Sequence, residues 1–287
     1  MLQSASPEIR KRSDGAEIMI NFRKAIATVW LAFTDLLSLG NFTIAQTATE
    51  GTSTSKPVFV MVHGTFQWAG QYEPLSILLR DEGFEVVELT LTGLGEKEHL
   101  LSKETGLSTH VHDVANALSW RDLENVILVG HSYGGTVITG AAAEQSGRIK
   151  HLVYLDTVPA DDGESLMTSF FDETTRDEVY AMVEEDGDGW LIPKDGLREA
   201  LPTMRPHPSK SYTDRLALPE GTPDFQGTII VANDSNPFFQ YMRTAEAPAR
   251  AEKRGWNLIT VEGPHQLMEV SPAKETVAEI LLEIARN

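Results

Sequence analysis

The sequence Gly130-His131-Ser132-Tyr133-Gly134 is the feature that most constrains how this chain folds. It has the form G-x-S-x-G, and it lies between an apolar run at 126–129 and a helix-compatible stretch at 136–143. A serine between a strand and a helix sits on so sharp a turn that glycines are needed two residues to either side. The pattern predicts that Ser132 lies above the carboxyl end of a sheet as a nucleophile. A glycine-rich turn with an incidental serine is the alternative.

Strand and helix patterns alternate from Pro57 to the end of the chain. This alternation is typical of a mostly parallel sheet with helices on both faces. We therefore predict an α/β fold with a doubly wound, mostly parallel sheet. The predicted strands are 58–62, 84–89, 126–129, 151–156, 228–232 and 257–261, and the predicted helices are 74–82, 111–120 and 273–285.

The segment 157–226 interrupts this alternation, because it contains no pattern typical of a buried strand. A compact α/β unit would join its strands with far fewer residues. We predict a core formed by 51–156 and 227–287, with 157–226 inserted as a mainly helical cap. The segment contains sixteen Asp and Glu residues against six Lys and Arg. Such an excess indicates either a solvated face or a barrier to anionic substrates.

The first fifty residues differ from the rest of the chain. Arg23 and Lys24 precede an apolar run at 25–39, and small residues follow at 43–48. This order resembles a secretory signal peptide, which would begin most naturally at Met19. We predict an N-terminal extension over 1–50 and an exported protein. The alternative is a packed or anchoring N-terminal helix in a cytoplasmic protein. The run is short for a membrane span, so no stable membrane insertion is expected.

Composition limits the possible partners. The 287 residues carry a formal net charge of −18, which argues against nucleic acids and anionic membrane surfaces. The chain has no cysteine, which removes disulfides, thiolate catalysis and thiolate metal ligands. We expect a small-molecule substrate and neither a metal nor an organic cofactor. The oligomeric state is left open.

A nucleophilic serine needs a base and a carboxylate that orients it, each on a loop beyond the carboxyl end of a strand. Among the eight histidines, His265 meets that demand, because it follows the predicted last strand. We predict His265 as the base. Asp234 follows the strand 228–232 and is the predicted acid. Asp156, at the end of the preceding strand, is the rival.

Two backbone N–H groups are expected to bind the developing oxyanion. Tyr133 supplies one of them, because it directly follows the nucleophile. Thr65 supplies the other from the loop after the first strand, with Phe66 as the alternative donor. Phe66 and Trp68 are the candidates for an apolar substrate pocket. From the predicted cap, Phe170, Phe171 and Trp190 are weaker candidates, since such residues are more often core than contact.

These motifs together resemble the α/β-hydrolase superfamily. They are most similar to its branch of small esterases and hydroxynitrile lyases, which includes plant methyl-ester esterases and bacterial pyrethroid-type carboxylesterases. The resemblance spans residues 57–287 and implies that Asp234, within the block Asp234 to Gln240, is the triad acid. The segments that carry it are Val62-His63-Gly64 with Trp68, Leu91-Thr92-Gly93-Leu94-Gly95, Gly130 to Gly135, Tyr154-Leu155-Asp156 with Pro159 and Asp162 to Ser165, and Gly263-Pro264-His265.

Two departures from the lyase pattern favour hydrolysis. In the hydroxynitrile lyases of the branch that the chain resembles, a threonine follows the first-strand histidine and a lysine follows the catalytic histidine. At those positions this chain has Gly64 and Gln266. We therefore predict a serine hydrolase of carboxylic esters of neutral, fairly hydrophobic small molecules. A lactonase, an amidase or a carbon–carbon hydrolase on the same triad is the alternative. A non-catalytic ligand receptor is a third hypothesis, disfavoured because the triad is whole.

Overall fold

Six parallel strands form the central sheet of the computed structural model, which describes residues 56–187, 189–193 and 204–287. The predicted extension and signal peptide at 1–50 lie outside the described residues. Within the described ranges the order across the sheet is β2-β1-β3-β4-β7-β8, and every pair is parallel. The strands are β1 (Val58–Val62), β2 (Glu85–Leu89), β3 (Val126–His131), β4 (Ile149–Leu155), β7 (Gly227–Ala232) and β8 (Asn257–Val261).

Helices connect these strands. A second, antiparallel sheet of two short strands, β5 (Trp190–Leu191) and β6 (His207–Pro208), lies in the segment between β4 and β7. The helices are α1 (Glu73–Asp81), α2 (Leu107–Trp120), α3 (Tyr133–Glu144), α4 (Leu166–Phe170), α5 (Glu173–Ala181), α6 (Lys210–Thr213), α7 (Pro237–Tyr241), α8 (Ala247–Arg254) and α9 (Ala273–Arg286). A π-helical turn, Met242–Glu246, joins α7 to α8.

The alternation of side chains along the strands divides the core into two layers. Phe59 and Met61 of β1 point to one face, where they pack in the layer that contains α1 and α9. Val60 and Val62 point to the other face and pack in the layer that contains α2 and α3. Because both faces are covered, β3 is buried along its whole length. The expectation of a doubly wound, mostly parallel sheet is confirmed.

Some elements differ from the predicted ones. Helix α2 begins four residues before the predicted start, at Leu107, where Asp214 accepts a hydrogen bond from the Leu107 N–H at 3.1 Å. The strands β5 and β6 are too short to produce an alternating pattern. The helical stretch over 237–254 was not predicted. It begins at Pro237, directly after the Asn236 cap. The mainly helical cap over 157–226 stays a prediction.

No helix in the described ranges is long and apolar enough to cross a membrane.

The layer beneath α9 generates a stability prediction. Leu281 is fully buried in that layer, so Leu281→Ala removes apolar contacts and leaves a cavity. We expect a loss of about 2–5 kcal/mol in the free energy of unfolding, measured by urea denaturation. Ile77→Ala is the control, because Ile77 is 47% exposed on α1 and should change the stability by about 0.5 kcal/mol or less. Equal losses in both variants would contradict this packing.

Candidate active site

The turn between β3 and α3 holds Ser132 in a conformation that non-glycine residues rarely adopt, with φ 51° and ψ −124°. The close approach explains both flanking glycines. A Cβ on Gly130 would lie 2.6 Å from the carbonyl oxygen of Gly134, and a Cβ on Gly134 would lie 2.5 Å from that of Val62. The backbone of Ser132 is anchored by its N–H, which donates to the Leu155 carbonyl at 3.2 Å. The predicted strand–turn–helix setting of Ser132 is therefore present.

The loop after β1 passes directly beside the serine. A Cβ on Gly64 would lie 3.0 Å from Cβ of Ser132 and 2.9 Å from Nδ1 of His131, so a side chain there would crowd the serine. The next residues are Thr65 and Phe66, and Phe66 has a positive φ of 65°. Such conformations cost of order 1–3 kcal/mol and cluster at functional sites. Of the five non-glycine residues with positive φ in the described ranges, three surround this site: Phe66, Ser132 and Asp156.

His63 supports this loop from inside the protein. Its Nε2 accepts a hydrogen bond from the Leu91 N–H at 3.0 Å, so its Nδ1 carries the proton and donates to the Gly64 carbonyl at 2.8 Å. Burial lowers the pKa of His63 to about 3, and the ring therefore stays neutral. His63 therefore fixes the backbone of the loop from which Thr65 is predicted to bind the oxyanion.

His265 is hydrogen-bonded to a carboxylate other than the predicted one. Its Nδ1 donates to Oδ2 of Asp156 at 2.6 Å. Asp156 is fully buried, and its Oδ1 accepts from the Ala232 N–H at 2.8 Å. Burial would raise the pKa of Asp156, but hydrogen bonds from His265 and Arg243 outweigh it and lower that pKa to about 2. Because Nδ1 of His265 carries the proton, Nε2 is left as the basic nitrogen.

Asp234, the predicted acid, lies against Arg243 instead of His265. Nη1 of Arg243 donates to Oδ1 of Asp234 in a short hydrogen bond. The Asn236 N–H donates to the same oxygen at 2.9 Å, so Asp234 also holds the turn that precedes α7. The sequence placed both Asp156 and Asp234 beyond strand ends, but strand position alone does not determine which carboxylate reaches the histidine. The rival residue, Asp156, makes the contact.

Aromatic rings lie against both sides of His265. Phe239 stacks on it with 3.8 Å between ring centroids and 14° between planes, and His131 lies on it at 4.4 Å and 44°. Nε2 of His131 donates to the backbone carbonyl of His265 at 2.9 Å. Burial lowers the pKa of His131 well below its usual range, so this ring stays neutral. The packing holds the imidazole of His265 in one plane. Phe239 was not predicted, because nothing in its position along the chain indicates a histidine contact.

Tyr133 is held by its buried side chain, and this fixes the start of α3. Nε2 of His110 donates to the Thr92 carbonyl at 3.0 Å, so Nδ1 of His110 accepts from the Tyr133 hydroxyl at 2.7 Å. Tyr212 stacks on Tyr133 with centroids 5.9 Å apart and forms a short hydroxyl hydrogen bond with Thr65. Tyr212 thus contacts both residues that were predicted to supply the oxyanion N–H groups.

A cavity of about 390 Å³ opens above Ser132 and His265, within the range of small-molecule sites. Five phenylalanines from three segments line it: Phe66 in the loop after β1, Phe170 and Phe171 near α4, and Phe238 and Phe239 on α7. None of the described lining residues is Asp, Glu, Lys or Arg. The lining also includes the polar residues Thr65, Gln71, Tyr212, Asn236 and Gln266.

The predicted pocket residues divide into two groups. Phe66, Phe170 and Phe171 line the cavity. Trp68 and Trp190 are not among its lining residues. Trp68 is 37% exposed, and its ring covers Gly70, where an added Cβ would lie 2.5 Å from the indole.

Within the described ranges, no group of three or more His, Asp or Glu side chains is arranged to hold a metal ion.

Residues 59–279 match the family model described as the alpha/beta hydrolase family, and the chain belongs to that family. The carbendazim hydrolyzing esterase of a Nocardioides species is 28% identical over 75% of this chain and 94% of its own length. Together with the family match, such named esterases confirm the predicted class of carboxylic-ester hydrolase.

Solved structures show the same fold at lower identity. An extracellular alpha/beta-hydrolase from a Paenibacillus species superposes with a TM-score of 0.66 and 19% identity, covering 80% of this chain and 100% of that one. A pyrethroid hydrolase from Sphingobium faniae superposes with a TM-score of 0.59 and 18% identity, covering 80% and 97% of the two chains.

The tight turn at Ser132 predicts unequal effects of two glycine substitutions. Gly134→Ala places a methyl group against the carbonyl of Val62, whereas a Cβ on Gly147 meets nothing within 4 Å. We expect Gly134→Ala to lower the free energy of unfolding by about 1–3 kcal/mol and Gly147→Ala to change it by about 0.5 kcal/mol or less. Urea denaturation of both variants measures the difference. A Gly134→Ala variant as stable as the control would show that the turn is looser than described.

Proposed function

We propose that this protein hydrolyses carboxylic esters of neutral, fairly hydrophobic small molecules through Ser132, His265 and Asp156. The observation that carries the proposal is the 2.6 Å contact between Asp156 and Nδ1 of His265, at the floor of a cavity that Ser132 also faces. That contact leaves Nε2 of His265 free to accept the serine proton, which is the role of the base in a serine triad.

The proposed reaction has two halves. In the first, Nε2 of His265 takes the proton from Oγ of Ser132 while Oγ attacks the acyl carbon. His265 then returns the proton to the departing alkoxide, leaving an acyl-enzyme and a free alcohol. In the second, His265 takes a proton from water as the water attacks the acyl-enzyme, and it returns that proton to Oγ of Ser132 as the bond to the acyl group breaks and the acid is released. Asp156 stabilises the imidazolium that forms in each half.

The oxyanion that develops in both halves needs fixed donors. The N–H groups of Tyr133 and Thr65 are the proposed pair. Tyr133 starts α3, where unpaired N–H groups and the helix dipole favour negative charge. Thr65 is held through its hydroxyl contact with Tyr212 and through the packing of Gly64 on Ser132. In studied enzymes the loss of one such donor costs about 3–4 kcal/mol of transition-state stabilisation.

The substrate class follows from the cavity. Five phenylalanine rings and a described lining without Asp, Glu, Lys or Arg favour a neutral ligand with a flat or apolar group. Gln71, Asn236 and Gln266 supply polar contacts that can orient it. The Nocardioides relative is named for carbendazim hydrolysis, which makes carbendazim a useful member of a substrate panel beside p-nitrophenyl esters, lactones and amides.

Hydrolysis is favoured over cyanide elimination. The lyase reaction calls for a positive charge beside the leaving group, and Gln266 occupies the lysine position of that pattern. Gln266 lines the cavity directly beside His265 and is neutral.

The test is turnover of short and medium p-nitrophenyl esters by wild type and single variants. We expect Ser132→Ala and His265→Ala to lower kcat by about a millionfold and Asp156→Asn by about ten-thousandfold. His112→Ala is the matched control, since His112 is an exposed histidine of α2 paired with Glu144. It should keep wild-type kcat. Circular dichroism verifies that each variant is folded. A wild type inactive on the whole panel, or an active Ser132→Ala, would overturn the proposal.

A further inference from the structure

Arg243 lies behind the histidine–carboxylate pair and is almost completely buried, with 4% of its side chain exposed. It extends from the π-helical turn after α7. Its Nε donates to Oδ1 of Asp156 at 2.9 Å, and its Nη2 donates to Oδ2 at 2.5 Å. This is a bidentate ion pair, the strongest arrangement that an arginine and a carboxylate form.

The same guanidinium reaches a second carboxylate. Nη1 of Arg243 donates to Oδ1 of Asp234, whose side chain is 25% exposed. The guanidinium of Arg243 also lies over the ring of Phe239, 5.2 Å from its centroid. Phe239 is the residue that stacks on His265. We call Asp156, Arg243 and Asp234 the ion cluster. One positive charge therefore joins two carboxylates, and His265 contacts the cluster through Asp156.

The position of Arg243 poses an electrostatic problem for the proposed mechanism. Oδ2 of Asp156 accepts from both Arg243 and Nδ1 of His265. A guanidinium on that oxygen opposes a positive charge on the imidazole, and the proposed mechanism requires that charge in each half of the reaction. Asp234 compensates, since with it the ion cluster carries a net charge of −1 and without it a net charge of 0.

We propose that Arg243 and Asp234 are positioning residues that set the proton affinity of His265 through Asp156, with opposite signs. Arg243 orients the Asp156 carboxylate and lowers the proton affinity, and Asp234 offsets that charge and raises it. The inference rests on the proposed function for its catalytic meaning. It assigns Asp234 a role in the site without a contact to His265.

Other ionisable groups around His265 leave this assignment intact. His131, on the opposite face of the ring from Phe239, stays neutral because burial lowers its pKa. Glu269, four residues along the same segment, accepts a hydrogen bond from Gln71, and burial raises its pKa. Glu262, just after β8, accepts from Asn233 at 3.0 Å. Among the described residues, the hydrogen bond of the ring itself to a carboxylate is the one with Asp156.

The experiment compares the pH dependence of kcat/KM on a p-nitrophenyl ester. The acid limb marks the loss of activity as the base becomes protonated in the free enzyme. Asp234→Asn removes a negative charge, so its acid limb should move to lower pH. Arg243→Met removes a positive charge, so its acid limb should move to higher pH. We expect a shift of about one pH unit for Arg243→Met, whose charge lies on the oxygen that His265 contacts, and a smaller shift for Asp234→Asn, whose charge lies beyond Arg243.

Two further variants separate charge from structure. Arg243→Lys keeps the positive charge without the bidentate geometry. Its acid limb should therefore stay nearer to that of the wild type than the acid limb of Arg243→Met does. This variant also tests the inference if Arg243→Met fails to fold. Asp161→Asn makes the same charge change as Asp234→Asn in a separate ion pair with Lys253 and Arg254. Its limb should coincide with the wild type.

Three results would overturn the inference. The first is that the acid limbs of Asp234→Asn and of the Arg243 variants do not move. The second is that these limbs move in the same direction. The third is that Asp234→Asn loses kcat as fully as Asp156→Asn. The last result would make Asp234 the acid itself. Titration of the His265 ring protons by NMR in the same variants needs no turnover. It therefore tests the inference even if the proposed ester hydrolysis fails, and the two failures are distinguishable.

Discussion

The close approach of the turn at Ser132 to the end of β1 is the constraint on which the rest of the site depends. The carbonyl of Val62 leaves no room for a side chain on Gly134, and Ser132 leaves little on Gly64. The turn after β3 and the loop after β1 are therefore packed against each other, and α3 starts at Tyr133, directly after the serine. Packing of the backbone, and not interactions between catalytic side chains, therefore positions the serine hydroxyl and the two candidate oxyanion donors.

The second requirement is an imidazole that cannot rotate. Asp156 accepts a hydrogen bond from Nδ1 of His265, while the rings of Phe239 and His131 pack against the imidazole. The hydrogen bond selects the tautomer, and the packing selects the plane. Phe239 also lines the cavity, so a substrate in contact with this phenylalanine lies close to the proposed base. Substrate shape and base orientation depend on the same side chain.

Much of the architecture could be predicted from the sequence, because parallel strands buried on both faces are continuous apolar runs. The limits of β1 and β8 agree with the predicted ones. The setting of Ser132 was predictable for a different reason, since G-x-S-x-G encodes a backbone conformation. The position of His265 after β8 followed from the topology.

The acid and its surroundings could not be predicted in the same way. Asp156 and Asp234 follow adjacent strands of the sheet, so both satisfy a rule based on strand ends. What separates them is the hydrogen bond with His265, which Asp156 makes, whereas Asp234 lies against Arg243, nine residues farther along in a helical stretch that the patterns did not indicate. Its guanidinium pairs with Asp234, and only side-chain geometry reveals that pairing. Phe239 was missed for the same reason.

The most direct test of the central claim, that Ser132 is a nucleophile activated by His265, is covalent labelling with a fluorophosphonate followed by intact-mass and peptide mass spectrometry. We expect one adduct per chain, located on Ser132, and a labelling rate that falls sharply in His265→Ala. An adduct on another residue, no adduct on Ser132, or a rate that is unchanged in His265→Ala would contradict it.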